Sequence, residues 1–96
     1  MHYLLIYDVV EDYVTKRKPY REAHFAHLKK AYDRGDVILG GALAEPVDSA
    51  ILLFSGLKPG AAEEFARTDP YVLNGLITGW KVRKWMTVIG EGSSPV

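Results

Sequence analysis

From His2 to Val10 (HYLLIYDVV) apolar side chains fall on both faces of an extended segment, the pattern of a central strand. The polar run Glu11–Lys18 then reads as a loop. From Pro19 to Arg34 the period changes to that of an amphipathic helix, with Phe25, Leu28, Ala31 and Tyr32 on one stripe and Glu22, Lys29, Lys30 and Asp33 outside it. Pro19 suits a first helical turn, and Gly35 is a natural left-handed stop. Asp36–Leu43 reads as a second strand that Gly40-Gly41 weakens or bends. Glu45–Asp48 is a turn, and Ala50–Phe54 a buried third strand. Leu57–Gly60 breaks the chain before a short helix, Ala61–Arg67. Asp69-Pro70 starts another helical turn that Gly75 closes, and Leu76–Ile89 contains a long final strand.

The order β-α-β-β-α-β is that of the ferredoxin-like split βαβ sandwich, an α+β fold. Helices would cover one sheet face, leaving apolar and aromatic residues on the other. A second subunit's sheet would cover that face, so a homodimer or higher homo-oligomer in the manner of a dimeric α+β barrel is expected. Residues 1–89 form one domain. The tail from Gly90 to Val96 has too little apolar content to pack and is expected to be mobile.

Composition narrows the function. Twelve basic and twelve acidic residues cancel, so no field exists to draw nucleic acid or an anionic membrane. Cysteine is absent, which removes thiol catalysis, disulfides and Cys-based zinc sites. The apolar start is too short to span a bilayer and lacks a signal-peptide pattern, making the cytoplasm the default compartment. Gly40-Gly41 is no phosphate loop, and Ser49 and Ser55 lack the context of a hydrolase nucleophile.

Two polar residues, Arg21 and His24, fall inside the apolar stripe. An inward imidazole must find a partner or line a cavity, because burying an unpaired polar group is costly. It is either a core histidine bonded to a backbone carbonyl or part of a site. Arg21, one turn earlier, either snorkels or clamps an anion. His27 falls at the stripe's border and reads as surface. The His24/His27 spacing lacks the further ligands a metal needs, so no metal is expected. Asp8 shares a face with Leu4 and Ile6, and is either a solvated strand end or a cleft carboxylate. Asp69 before Pro70 is explained by helix capping alone, although one carboxylate can do two jobs. Tyr3, Tyr7, Trp80 and Trp85 suit the sheet core or a subunit interface better than an aromatic pocket.

The string Arg21-Glu22-Ala23-His24-Phe25 resembles the R-x-x-H-[LF] helix motif of the YCII-related (YciI-like) proteins. Gly35 and Gly40-Gly41 stand where that family has its x-x-G and A-G-P elements, with Ala42 in place of the usual proline. Asp69-Pro70-Tyr71 followed by Gly75 is similar to its D-P-[FY]-x-x-x-G, and Val82–Trp85 to its final strand. The resemblance spans residues 3–85. It implies a dimeric α+β barrel whose cleft holds His24 and Asp69, with no metal or organic cofactor, and in a few members lyase or dehydrohalogenase chemistry on ring compounds. A carboxylate beside a histidine fixes its tautomer and leaves the other ring nitrogen to take or give a proton near neutrality. On this basis the chain is expected to be a small cofactor-independent enzyme doing acid–base chemistry, of lyase, dehydrohalogenase or isomerase type, on a small acidic or phenolic metabolite. His24 and Asp69 would be catalytic, with Arg21, Asp8, Gly41 and Tyr71 binding substrate. The other reading is a non-catalytic ligand-binding or accessory module with the same pocket.

Overall fold

The opening apolar segment becomes β1 (His2–Val9), paired antiparallel on both sides, as its two apolar faces require. The computed structural model describes residues 1–93. One neighbour is β3 (Ser49–Ser55) and the other β4 (Ile77–Trp85), while β2 (Val37–Ala42) pairs with β3 to give the order β2-β3-β1-β4. The two crossovers are α2 (Arg21–Asp33), between β1 and β2, and α3 (Gly60–Thr68) with α4 (Pro70–Leu73), between β3 and β4. This is the ferredoxin-like α+β sandwich expected of the sequence.

Register decides which residues meet. Tyr3, Leu5 and Tyr7 stand opposite Phe54, Leu52 and Ala50, and all six are buried beneath the helices. Burying one large apolar side chain contributes roughly 1.5–3 kcal/mol, so this face is the main source of stability. Phe65 of α3 meets Phe54 edge-on at 5.6 Å. The intervening residues Leu4, Ile6, Ile51 and Leu53 point to the opposite face by strand alternation, and no helix covers them. Asp8, Lys81 and Arg83 lie on that same face.

Both helix stops follow the glycines. Gly35 has φ +83°; its N–H bonds the Tyr32 carbonyl and the Asp36 N–H bonds the Ala31 carbonyl, a Schellman closure. Gly75, at φ +74°, closes α4 the same way through Val72 and Tyr71.

The structure corrects several details. The polar run after β1 is not simply a loop: it holds the one-turn helix α1 (Tyr13–Lys16), started by Asp12 at φ 60° and anchored by buried Tyr13. Pro19 lies in a 3-10 turn, Lys18–Tyr20, so α2 begins at Arg21. The inward face of α2 is also rotated from the expected stripe. Phe25 is 48 % exposed and Tyr32 61 %, whereas His24 and Ala31 are buried. His27, expected at the surface, is half-buried, stacks on Phe65 at 4.4 Å and donates from Nε2 to the Phe65 carbonyl. The rotation follows from the second crossover: α2 packs on α3 and α4 through the His24–His27–Ala31 line, which turns Phe25 and Tyr32 outward. The distortion in β2 falls between Val37 and Leu39 rather than at the glycines. β4 ends at Trp85, leaving Met86, Val88 and Ile89 beyond it and exposed. Of the tail, Gly90–Ser93 close a turn that brings Gly92 against the His2 ring, and residues 94–96 lie outside those described.

Candidate active site

Asp69 joins α3 to α4 with an extended backbone (φ −66°, ψ 124°), the conformation Pro70 imposes on the residue before it. Its side chain caps α4 by accepting the Tyr71 N–H at Oδ1, 3.0 Å away. The carboxylate is 0 % exposed, and capping does not exhaust it. His24 Nδ1–H donates to the same Oδ1 at 2.7 Å, and the Tyr7 hydroxyl donates to Oδ2 at 2.7 Å. Three donors satisfy a carboxylate that would otherwise be very costly to bury. Each comes from a different part of the fold: the central strand, the first crossover helix and the start of α4.

A carboxylate only accepts, so the hydrogen on His24 sits on Nδ1 and the Nε2 lone pair is left free. Nε2 has no hydrogen-bond partner among the described residues, and His24 lines a cavity of about 260 Å³. Tyr71 stacks flat on the imidazole, centroids 3.8 Å apart and planes 5° from parallel, which fixes the ring's tilt as Asp69 fixes its rotation. Tyr13 meets Tyr71 edge-on at 5.8 Å. Burial pushes the Tyr7, Tyr13 and Tyr71 phenols above their ordinary value, Tyr7 furthest because the Asp69 carboxylate beside it adds to the effect. These hydroxyls are donors throughout the physiological range.

The cavity runs between α2 and the β2–β3 end of the sheet. Arg21, Gly41 and Tyr71 line it together with His24. Asp69 stands directly behind the histidine. Asp8 is not at the cavity: strand alternation carries it to the opposite sheet face, where it is exposed, and its carboxylate lies toward Gly79. Arg21 keeps its guanidinium over the Phe25 ring at 4.7 Å. Sequence reasoning missed Tyr7, Tyr13 and Arg17. Tyr7 reads as a core aromatic, and only its register opposite Ala50, beneath α4, reveals its hydroxyl's partner. The signal for Tyr13 and Arg17 was an aromatic set among charges in a segment that propensity gives to a loop. Among the described residues no cluster of three or more His, Cys, Asp or Glu side chains could hold a metal, and no helix is long and apolar enough to cross a membrane.

A ferredoxin-like domain with a buried carboxylate–imidazole pair at the wall of a small cavity defines the class. The YCII-related domain profile matches residues 1–86, and the chain belongs to that family. No curated protein matches. Among solved structures, the 5-chloro-2-hydroxyhydroquinone dehydrochlorinase (TftG) of Burkholderia phenoliruptrix AC1100, in complex with 2,5-dihydroxybenzoquinone, superposes with a TM-score of 0.74 at 18 % identity, covering 98 % of this chain and 100 % of the other. At that identity the likeness is one of fold.

Proposed function

We propose that the chain is a small cofactor-independent enzyme in which His24 acts as general acid and base, with Asp69 behind it, on a small acidic or phenolic ring compound. The observation that carries this reading is the His24 ring itself. One nitrogen is tied to a buried carboxylate at 2.7 Å and the other is free at a cavity wall. A histidine kept only for packing gains nothing from an unpaired nitrogen facing an open cavity. The structural neighbour, a dehydrochlorinase seen with a dihydroxylated quinone, supports the same class of substrate.

The proton step follows from the geometry. Nε2 takes a proton from an acidic O–H or C–H of the bound molecule, and the imidazolium that forms is stabilised by the Asp69 carboxylate across Nδ1–H. The electron pair released on the substrate then either expels a leaving group from a neighbouring carbon, completing an elimination, or accepts the proton back at another carbon, completing an isomerisation. Arg21 steadies the negative charge that develops on oxygen meanwhile. Gly40 and Gly41 keep one wall bare: a Cβ at Gly40 would press on Leu52 at 3.3 Å and approach Leu28.

We read the uncovered face carrying Leu4, Ile6, Ile51 and Leu53 as the surface on which a second copy packs, closing a dimeric barrel.

The catalytic reading is tested by incubating the protein with chlorinated and hydroxylated quinols and following halide release and quinone absorbance. Turnover that falls roughly 100-fold or more in His24→Ala supports the assignment. A His24→Ala protein that turns over an identified substrate at the parental rate overturns it, and binding without turnover would return the cavity to a ligand-binding role.

A further inference from the structure

The chain between β1 and α2 carries a cation that the proton step does not use. Arg17, at the C-terminal end of α1, lines the same cavity as Arg21 and His24, with its guanidinium 5.0 Å from the centre of the Tyr13 ring. Neither Arg17 nor Arg21 has an ion-pair partner among the described residues. The acids that do pair with cations on this surface, Asp33, Asp36 and Glu64, are taken by Lys29, Arg34 and Arg67. The one carboxylate behind the cavity, Asp69, is sealed from solvent and has committed both oxygens. Two permanent positive charges therefore line one small cavity, and neither has an ion-pair partner among the described residues. Arg21 also sits in the first turn of α2, where the positive end of the helix dipole disfavours a cation. Within its own helix its partner is the Phe25 ring, four residues on, which leaves its charge unpaired. Both guanidiniums act on both cavity phenols, opposing the rise that burial causes in Tyr13 and in Tyr71, which requires the two cations to lie near the same pair of rings.

We propose that Arg17 and Arg21 form a single two-pronged anion site, and that the cavity takes a one-ring acid whose carboxylate, or pair of adjacent oxygens, bridges the two guanidiniums. The planar donor fork of arginine matches two coplanar oxygens, which lysine does not. Tyr13, Phe25 and Tyr71 supply flat walls suited to an aromatic ring. The volume, about 260 Å³, lies just below the usual range of roughly 300–1,000 Å³ for ligand pockets, a size that suits a one-ring ligand. The assignment rests on the reading of this cavity as the ligand site, and it deepens that reading by fixing the ligand's charge. It does not depend on the proton step at His24.

The experiment is calorimetric titration with salicylate and with salicylamide, which share a ring and a hydroxyl and differ in charge. Salicylate is expected to bind one per chain and salicylamide at least about tenfold more weakly. Arg17→Gln is expected to weaken salicylate roughly 10- to 100-fold, the value of a charge-assisted hydrogen bond, and salicylamide by a distinctly smaller factor. Arg17→Lys, which keeps the charge but loses the fork, should fall between. The comparison of the two ligands on the unaltered protein needs no variant to fold. Equal binding of the amide, no binding of salicylate, or an Arg17→Gln protein that is folded by circular dichroism and binds salicylate at the parental affinity would each overturn the anion site. Turnover by His24→Ala tests the proton step separately, so the failure of one assignment is distinguishable from the failure of the other.

Discussion

Asp69 is the residue on which most of the site turns, because a single carboxylate meets a structural demand and a chemical one. Its Oδ1 caps α4 and holds His24, and its Oδ2 takes the Tyr7 hydroxyl. Removing it strands three buried donors, each costing roughly 1–3 kcal/mol. Asp69→Ala is therefore expected to lower stability by about 3 kcal/mol or more in urea titration. Tyr7→Phe removes one donor only, with an expected loss of about 1–2 kcal/mol. A value near zero for Asp69→Ala would mean that the carboxylate is dispensable to the fold. Half of this arrangement is legible in the sequence. Asp-Pro declares a cap, and a histidine inside an apolar stripe declares a need for a partner. That these two meet across 45 positions is not written in any local pattern, and only the family resemblance brought them together. Tyr7 and Arg17 carry no such marks, since a tyrosine in a core strand and an arginine in a polar segment look ordinary until register and a short helix place them.

Where backbone chemistry dictates the outcome, the elements are legible in the sequence. Gly35 and Gly75 end their helices because each stop needs a positive φ, and Pro70 fixes the start of α4 through its own ring and the residue before it. Gly75→Ala meets no steric obstacle, nothing lying within 4 Å of the added carbon, so its cost is conformational. About 1 kcal/mol is expected. Because the stop lies next to the Asp69–Tyr71 cap, a reduced His24→Asp69 coupling should accompany the loss, seen as faster exchange of the Nδ1 proton in NMR. Elsewhere tertiary packing overrides local preference. α1 is too short to announce itself by period, and it is held by buried Tyr13 rather than by propensity. The face of α2 is set by what α3 and α4 offer it, so His27 turns in toward Phe65 while Phe25 turns toward the cavity mouth.

Among the described residues one sheet face lies under helices, while the other carries none and is reached by the segment after β4 only at His2. The strand order and helix placement follow from the element order in the sequence, because the split βαβ connection leaves few alternatives. What covers the second face is a matter between chains. Sedimentation equilibrium is expected to give a dimer, and Leu53→Asp, which sets a charge in the middle of that face, to give a folded monomer. A monomeric parent would remove the barrel proposal. The buried phenols give the molecule an alkaline limit. Folding keeps Tyr7 neutral, its pKa being raised far above the ordinary 10.0, so its contribution is complete below pH 10 and declines as rising pH ionises the unfolded chain. Stability should fall above pH 10 by about 1.4 kcal/mol per pH unit from this group alone, and Tyr7→Phe should show a correspondingly shallower decline.

The proposed chemistry depends on how His24 presents itself to the cavity. Ring-nitrogen NMR of the protein at neutral pH, before and after addition of 2,5-dihydroxybenzoquinone, measures this directly. The expected result is a proton held on Nδ1 toward Asp69 and an Nε2 resonance that moves when the ligand enters. A proton found on Nε2, or a histidine whose two nitrogens ignore the ligand while it binds, would contradict the account.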